Sequence, residues 1–485
     1  MERPRGDITT LLDLTDRDDQ DTYFFPIQPE VSWFSRNKDR RYTPFVPCTQ
    51  EFPYRGPATF GQRISFDLTT QTSGDLVFAA VLQIKLAHWL NKTAQIQLQN
   101  SVYEYVNPST AWYYANSLGT ALIAKAELEI AGDTIEQFDG DFTSVFSALF
   151  PDLNSQISTG FDMYGRVSID RLLNWPQRAV YPTEDGTIHC ALPFFFMRTR
   201  LREYLPLVAC NEGTARLHIT FRPFAEVVRQ ARGYRDSCDS VPLNTTIQVY
   251  DRSFPFDQIV TLETTVAEPM FDSVRLVTYG ALLDGRVRAA MIRQPFEVMH
   301  REVQTFFFTE PLKYAIVKTT PDNLIRIQLP LEANHPLEEI VWFIRRKATG
   351  QNNEWTNFSS VIEREYDPIY NPRQSMLVYA KIQANGIDVI GAEEQYFRQQ
   401  IGFAHRGGVV GYNNFIYGYS FARRPGDIHQ PSGTINASRL QSLRLILDVR
   451  PPGGTFEKDW EVKVFCLGIN WLRFQNGIAN KMFQD

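Results

Sequence analysis

The chain has 485 residues, of which 43% are hydrophobic and 13% aromatic, so it has ample material for a packed interior and is not a disordered protein. This length exceeds what one ordinary hydrophobic core holds, and two domains are expected. The formal net charge is −6, with no long run of lysine or arginine, so direct nucleic-acid binding is not expected as the main task.

The sequence also argues against secretion and membrane insertion. Its apolar runs are far shorter than the about 20 residues of a membrane-spanning helix, and its first residues are charged where a signal peptide would be apolar. The cysteines are odd in number and include no CxxC pair, which indicates reduced thiols in a cytosolic compartment and no metal site. They are Cys48, Cys190, Cys210, Cys238 and Cys466.

The first predicted element is a short N-terminal helix with Ile8, Leu11 and Leu12 on one face. Acidic residues follow it closely, namely Asp13, Asp16, Asp18, Asp19 and Asp21. We do not expect this segment to belong to the packed domains that follow.

Alternation of apolar and polar residues is the main structural signal along the rest of the chain. It occurs in LQIKLAH (82–88), KAELEIAGD (125–133), ARLHITFR (215–222), LIRIQLP (324–330) and QSLRLILDV (441–449). A period of two is typical of antiparallel strands with one face in water. PLEEIVWFIRR (336–346) fits either period, and its β-branched and aromatic residues favour a buried strand.

Helical periodicity is sparse. The best case is GDFTSVFSALFPD (140–152), where Phe142, Val145, Phe146 and Leu149 share one face and Asp141 can cap the start. Many short strands with few helices predict an all-β protein of two sandwiches, with a boundary near residues 225–265.

The chain lacks the usual signatures of chemistry. It contains no GxGxxG, GxxxxGK[ST], GxSxG or HExxH, so we expect no cofactor and no catalytic residue, and its dispersed histidines predict no metal site. The carboxylates of DTIEQFDGDF (133–142) are interpreted as acidic turns in water, although a paired-acid glycosidase is an alternative.

One stretch carries a specific resemblance. IYGYSFARRPGDIHQPSGTINASRL (416–440) resembles a run in the major capsid proteins of nucleocytoplasmic large DNA viruses. The matching residues are Tyr419, Ser420, Phe421, Ala422, Pro425, His429, Gln430, Pro431, Ser432, Gly433, Asn436, Ser438 and Arg439. Further similar stretches, in the family's order, lie at 11–45, 113–142, 192–219, 281–304, 334–346, 353–359 and 465–479.

The resemblance implies a fold and a division of the chain. The fold is two consecutive eight-stranded antiparallel jelly-roll sandwiches, a double jelly roll, with a few short helices in loops. We expect an N-terminal extension (1–25), a first jelly roll (26–225), a linker and connecting strand (226–265) and a second jelly roll (266–485).

The resemblance also implies a function. The chain is expected to be a major capsid protein that forms homotrimeric, pseudo-hexagonal capsomers in the icosahedral shell of a large double-stranded DNA virus. Its expected partners are neighbouring capsomers, minor capsid and penton proteins, and an internal membrane reached through minor proteins, with assembly in the host cytoplasm. The alternatives are a minor capsid, penton or spike protein, or a tandem jelly-roll enzyme acting on glycans.

Two groups of residues are predicted to matter for structure or assembly. The first forms a corner or an assembly contact: His335, Pro336, Trp342, Pro425, His429, Gln430, Pro431, Ser432, Gly433, Asn436 and Arg439. His335 precedes a proline, so its backbone is expected to be extended. The second group is Ile8, Leu11 and Leu12, expected at the trimer base against a neighbouring block or an internal minor capsid protein.

Overall fold

The computed structural model describes most of the chain from residue 44 onward. The described residues are 44–70, 74–86, 94–98, 102–106, 112–115, 117–149, 187–198, 204–231, 240–241, 247–250, 259–262, 271–317, 324–351, 354–362, 369–370, 372–400, 415–425, 431–452 and 458–482. The chain divides into two compact units, residues 1–45 and residues 46–485, and both jelly rolls lie in the larger unit. Within the described residues, no helix has the length and apolar character that crossing a bilayer requires.

The first sandwich consists of two antiparallel sheets. One sheet has the order β1 (Phe45–Phe52), β16 (Ser273–Leu283), β3 (Leu76–Lys85), and then β9 (Thr187–Ala191) and β10 (Leu205–Pro206), which both pair with β3. The other has the order β2 (Arg63–Leu68), β11 (Ala215–Phe221), β7 (Ile123–Ile130), β8 (Asp133–Phe138).

The second sandwich repeats this order. Its first sheet is β17 (Phe296–Phe308), β26 (Trp460–Gln475), β20 (Pro336–Arg346), β23 (Ile416–Ser420), with β24 (Ile435–Asn436) on β20 and β27 (Ile478–Lys481) on β26. Its other sheet is β18 (Ala315–Val317), β19 (Ile325–Leu331), β25 (Leu443–Val449), β21 (Leu377–Ala384), β22 (Ile387–Glu393). In each sandwich the first strand lies beside a strand from the end of that sandwich, β1 beside β16 and β17 beside β26, as a jelly roll requires.

The remaining elements are short. Three small sheets are β4 (Ala94–Leu98) with β5 (Val102–Val106); β6 (Trp112–Tyr114), β12 (Val228–Ala231) and β13 (Ser240–Val241); and β14 (Ile247–Tyr250) with β15 (Ile259–Leu262). The α-helices are α1 (Leu118–Ala121), α2 (Gly140–Leu149), α3 (Phe224–Val227), α4 (Gly285–Arg293) and α5 (Ala348–Gln351). Single turns of tighter or wider helix lie at Phe195–Met197, Leu207–Ala209, Pro311–Tyr314, Tyr396–Gln400 and Ala437–Arg439. The predicted all-β double jelly roll is confirmed.

The strand predictions from alternation are also confirmed. In β11, Leu217 and Ile219 are fully buried while Arg216 is exposed. His218 departs from the pattern, because its ring is enclosed between Ser65 of β2 and Glu129 of β7. β20 is the buried strand that its composition indicated, with nine consecutive buried residues from Leu337 to Arg345.

The boundary between the jelly rolls lies later than the sequence indicated. Residue 266 was the expected start of the second jelly roll, yet β16 pairs from Ser273 to Ala281 with β3 of the first. β16 reads as an ordinary alternating strand, so its composition does not reveal which sheet it joins. The chain passes to the second sandwich only after Leu283, through α4.

Helix α2 forms where the periodicity predicted it, and Phe142, Val145 and Leu149 are buried. Its cap is different from the prediction. The backbone N–H of Phe142 donates to Asp139 Oδ1 at 2.9 Å, so Asp139 caps the helix. Asp141, the predicted cap, points instead into the boundary between the two sandwiches.

Candidate functional site

A cluster of buried charges joins the two jelly rolls. The carboxylate of Asp141, in the first turn of α2, accepts hydrogen bonds from both terminal nitrogens of Arg345, with Nη1–Oδ1 at 2.8 Å and Nη2–Oδ2 at 3.2 Å. Lys463 Nζ lies 2.8 Å from the same carboxylate and also contacts Asp139, while Arg345 Nη2 lies 2.7 Å from Glu461 Oε1. We call these five residues the ionic joint. It connects one helix of the first jelly roll to two strands of the second.

The strands of the second jelly roll place its half of the ionic joint. Arg345 is directly opposite Glu461 where β20 pairs with β26, and Lys463 faces Phe343 two residues further on. An ion pair between directly opposed strand residues needs no loop to align it. Beside it, Phe142 of α2 packs on Phe465 of β26 with ring centroids 5.3 Å apart. The charges are therefore enclosed by apolar side chains.

The enclosure shifts the pKa values of the joint. Burial alone would raise the pKa of Asp141, but Arg345 and Lys463 outweigh it and lower that pKa well below the usual carboxyl range. Burial alone would lower the pKa values of the two cations, and the carboxylates raise both instead. All three groups are therefore charged at neutral pH, and each depends on the others for compensation.

A second link lies further along the boundary. Arg198 of the first jelly roll contacts Glu136 and donates through Nη1 to the carbonyl oxygen of Arg301 in β17 at 2.7 Å. Glu136 also accepts from the N–H of Phe195 at 2.8 Å. Burial raises the pKa of Glu136, and Arg198 offsets this only in part.

His300 lies against this second link. Its ring packs edge-on to Phe195 with centroids 5.3 Å apart, and burial lowers its pKa to about 3. The ring is therefore neutral at physiological pH and acts as a packed side chain. The HREVQ stretch that begins here is part of β17 and has no catalytic arrangement. Among the described residues, no cluster of His, Cys, Asp or Glu could hold a metal ion.

The loop after β20 contributes a third contact. The Arg222 guanidinium of the first jelly roll stacks on the Trp355 ring at 4.1 Å from its centroid, and Arg345 lies 5.7 Å from the same ring. Asn357 braces this loop, because its side-chain N–H groups donate to Glu354 and to the carbonyl of Val361 while its Oδ1 accepts from Ser359. The tripeptide Asn357–Ser359 is thus a buried structural element.

The sequence interpretation of the carboxylates at 133–142 was wrong for two of them. Glu136 and Asp141, expected in water, are 4% and 5% exposed and both are paired with arginine. A weak signal for them exists in the sequence, since Arg345 and Arg346 end a strand that is otherwise almost entirely apolar at its centre. That pattern indicates a buried arginine, which requires a carboxylate partner, but it does not identify the partner.

The described parts of the 415–440 stretch, residues 415–425 and 431–440, form a hydrogen-bonded corner beside the start of β20. Ser432 Oγ accepts from the N–H of Arg424 at 2.8 Å and donates to the carbonyl of Arg424 at 3.2 Å. Gly433 has φ of +148°, and a Cβ there would lie 2.5 Å from the carbonyl oxygen of Phe421. Ser420 Oγ accepts from the N–H of Ala422. These contacts close the chain where β23 ends and satisfy backbone groups that no sheet reaches.

His335 completes the corner, but its backbone is not extended. Its φ is +66°, against the preference of a residue before proline. Three contacts impose this conformation: its N–H donates to Ser438 Oγ at 2.8 Å, its carbonyl accepts from the N–H of Ala437, and its ring contacts Glu302. Backbone strain of about 1–3 kcal/mol is the usual cost of such a position.

The other predicted residues are distributed as follows. Pro336 begins β20 and pairs with Asn436 of β24, so both belong to the corner. Pro425 is buried, whereas Pro431 and Arg439 are exposed. Trp342 lies in the core, with its ring centroid 5.2 Å from that of Phe397 and 6.0 Å from that of Tyr417 in β23. The predictions for Ile8, Leu11, Leu12, His429 and Gln430 fall outside the described residues.

Removing the charge of Asp141 should weaken the chain strongly. Asp141→Asn leaves Arg345 and Lys463 buried beside a neutral group, and we expect a loss of about 3–5 kcal/mol in the free energy of unfolding. Urea unfolding of the unassembled protein at pH 7 measures it. Because the folded pKa of Asp141 is lowered, its stabilisation is complete above the unfolded pKa of about 4 and is lost on acidification below it.

Asp388→Asn is the matched control. Asp388 pairs with Lys381 at 2.7 Å on the surface of the β21–β22 hairpin, where water compensates the lost charge. The control should unfold like the wild type. Equal losses for the two variants would contradict a structural role for the ionic joint.

Comparison with known proteins gives a consistent result along the chain. Residues 32–252 match the family model described as major capsid protein N-terminus, and residues 288–480 match that of the large eukaryotic DNA virus major capsid protein. The chain is 23% identical over 481 residues to the major capsid protein of Pyramimonas orientalis virus, covering 94% of this chain and 95% of that protein. It is also 23% identical over 586 residues to that of Chrysochromulina ericina virus, covering 96% and 98%.

Solved structures agree on the fold. The chain superposes on PBCV-1 VP54 with a TM-score of 0.64 at 18% identity, covering 94% of this chain and 100% of that one. The Faustovirus major capsid protein gives a TM-score of 0.59 at 12% identity, covering 94% of each chain. The double jelly roll and the matches to both halves lead to one assignment: the chain belongs to the major capsid proteins of large eukaryotic DNA viruses, which are structural proteins of the virion.

Proposed function

We propose that this major capsid protein works as a homotrimer whose six jelly rolls form a pseudo-hexagonal block of the shell. The observation that supports this most is the repetition of one strand order in two sandwiches joined by buried ion pairs. Two similar sandwiches per chain give six similar sides when three chains close a ring. We place the division between the sandwiches at 284–295 instead of 226–265.

The contacts within the trimer would be the large ones. A three-fold ring uses two different surfaces of each chain, and an obligate contact of this kind buries on the order of 2,000 Å² or more. Contacts between trimers would be smaller and more polar, so that a misplaced block can leave the growing shell. This order of strengths favours completion of the trimer before the lattice forms.

Exposed apolar side chains support further contacts between chains. Tyr279 and Phe78 lie on neighbouring strands of the first sandwich and are 46% and 36% exposed. Ile387 and Val389 are exposed on β22, which is the last strand of its sheet among the described residues. Apolar groups at such positions favour burial against another surface.

The partners follow from a position in the shell. Neighbouring capsomers, minor capsid proteins and penton proteins would contact the block, and minor proteins would connect it to an internal membrane. Assembly would take place in the host cytoplasm. The acidic segment around Asp13–Asp21, with Ile8, Leu11 and Leu12, is proposed as a contact at the trimer base with a neighbouring block or a minor protein.

The solution mass tests the trimer. Light scattering behind size exclusion, on protein shown to be β-folded, should give about three times the 55.9 kDa chain mass across a wide concentration range. A closed ring of large contacts does not dissociate on moderate dilution. A folded monomer at every concentration would contradict the proposal.

Deletion of residues 1–22 tests the proposed base contact. The shortened chain should still form trimers, because both jelly rolls remain, but should assemble into shells poorly in an assay with the minor proteins. Trimer mass and shell yield are measured on the same preparation. Loss of the trimer itself would refute this placement of the segment.

A further inference from the structure

The C-terminal hairpin of the second jelly roll rests on the first. β26 and β27 are joined by Asn476 and Gly477, whose φ values of +54° and +78° make a tight two-residue turn. The carbonyl of Gly477 accepts hydrogen bonds from the N–H groups of Glu212 and Gly213, both at 3.2 Å. These two donors belong to the loop that precedes β11 in the first jelly roll.

The close fit explains the absence of a side chain at position 477. A Cβ on Gly477 would lie 2.5 Å from Glu212 Cγ and would also overlap Asn211 Oδ1. The loop has little room to move away from Gly477, because its own Gly213 packs closely against Ala131 in the turn behind it. A Cβ on Gly213 would lie only 2.7 Å from Ala131 Cβ. The turn is therefore seated on a braced surface.

A second Asn–Gly turn shows what the turn alone requires. Asn385 and Gly386 join β21 to β22 with φ values of +50° and +81°, nearly those of the C-terminal turn. A Cβ on Gly386 would meet no atom within 4 Å. Both glycines adopt a positive φ, which favours glycine at either position. Of the two, only Gly477 also lies so close to other atoms that a Cβ would overlap them.

The far end of the hairpin is also fixed. The N–H of Met482 donates to the carbonyl of Trp471 at 2.9 Å, and Ala479 is fully buried. Lys481 Nζ lies 3.9 Å from Glu302 Oε2, the carboxylate that His335 contacts. The hairpin thus holds its shape on the second jelly roll while its turn touches the first.

The contact of the turn with the first jelly roll lies far from the ionic joint along the same strand. β26 carries Lys463 of the ionic joint near its start and leads into the turn at its end, a separation of about 40 Å at the usual rise of a strand. The ionic joint, the Arg198 link and the stack of Arg222 on Trp355 already connect the two jelly rolls. The turn adds an attachment at the end of β26 opposite to Lys463, which opposes a swing of one jelly roll about the ionic joint.

We propose that residues 475–482 form a C-terminal latch that fixes the orientation of the two jelly rolls in one chain, with Gly477 as its positioning residue. The latch acts within a single chain and does not depend on the trimer. Its expected role is to keep all six sides of a capsomer at constant angles.

Hydrogen exchange of Gly477→Ala against Gly386→Ala tests the latch. Gly477→Ala should speed amide exchange at Glu212 and Gly213 by about tenfold or more, as expected for two lost hydrogen bonds. It should also speed exchange at Phe195, whose N–H binds Glu136 at the boundary between the two attachments. Gly386→Ala carries the same backbone strain and should change none of these three amides.

The outcomes are decisive in each direction. If Gly477→Ala leaves exchange at Phe195 unchanged, the turn is only a local contact and has no positioning role. If Gly477→Ala and Gly386→Ala give the same exchange rates at Glu212 and Gly213, the contact itself is contradicted. If Gly477→Ala fails to fold, the same chain with Asn211→Ala and Glu212→Gly removes every side-chain atom that the new methyl group would overlap, Glu212 Cβ at 2.9 Å included. Recovery of folding in that triple variant supports the latch, and continued failure contradicts it.

Discussion

The burial of Asp141 between Arg345 and Lys463 holds the two jelly rolls in one arrangement. Charges removed from water are costly, and these are tolerated because each lies within hydrogen-bond reach of its partner. An apolar boundary alone would tolerate sliding. A boundary that contains paired charges penalises every displacement that separates them, so two sandwiches that could each fold around their own sheets become one block.

The corner formed by residues 415–425 and 431–440 similarly holds backbone segments together inside the second jelly roll. Ser432 and Gly433 hold the chain that leaves β23, and His335 accepts a strained backbone in exchange for hydrogen bonds to Ser438 and Ala437. The described part of the corner contains groups that satisfy backbone and no arrangement of nucleophile and base. Its specific sequence is therefore explained by geometry, as expected for a protein whose activity is assembly.

The fold was predictable from sequence to a large extent, and the joint was not. Period-two alternation is a local property, so strands such as β11 and β20 were recognised from their own residues. Long-range pairing is not local. The sequence around Asp141 looks like an acidic turn, and its partner Arg345 lies about 200 residues away, so nothing nearby indicates that they meet. The conformation of His335 was missed for the same reason, since contacts from residues 437 and 438 override its preference before proline.

The buried ion pairs across the boundary should make the two jelly rolls of one chain behave as a single rigid body. Scanning calorimetry of the unassembled protein tests it most directly, because cooperativity measures whether the two sandwiches can unfold separately. If the two sandwiches unfold together, one transition is expected, in which the calorimetric and van't Hoff enthalpies agree. Two resolved transitions, each with the enthalpy of about half the chain, would contradict it.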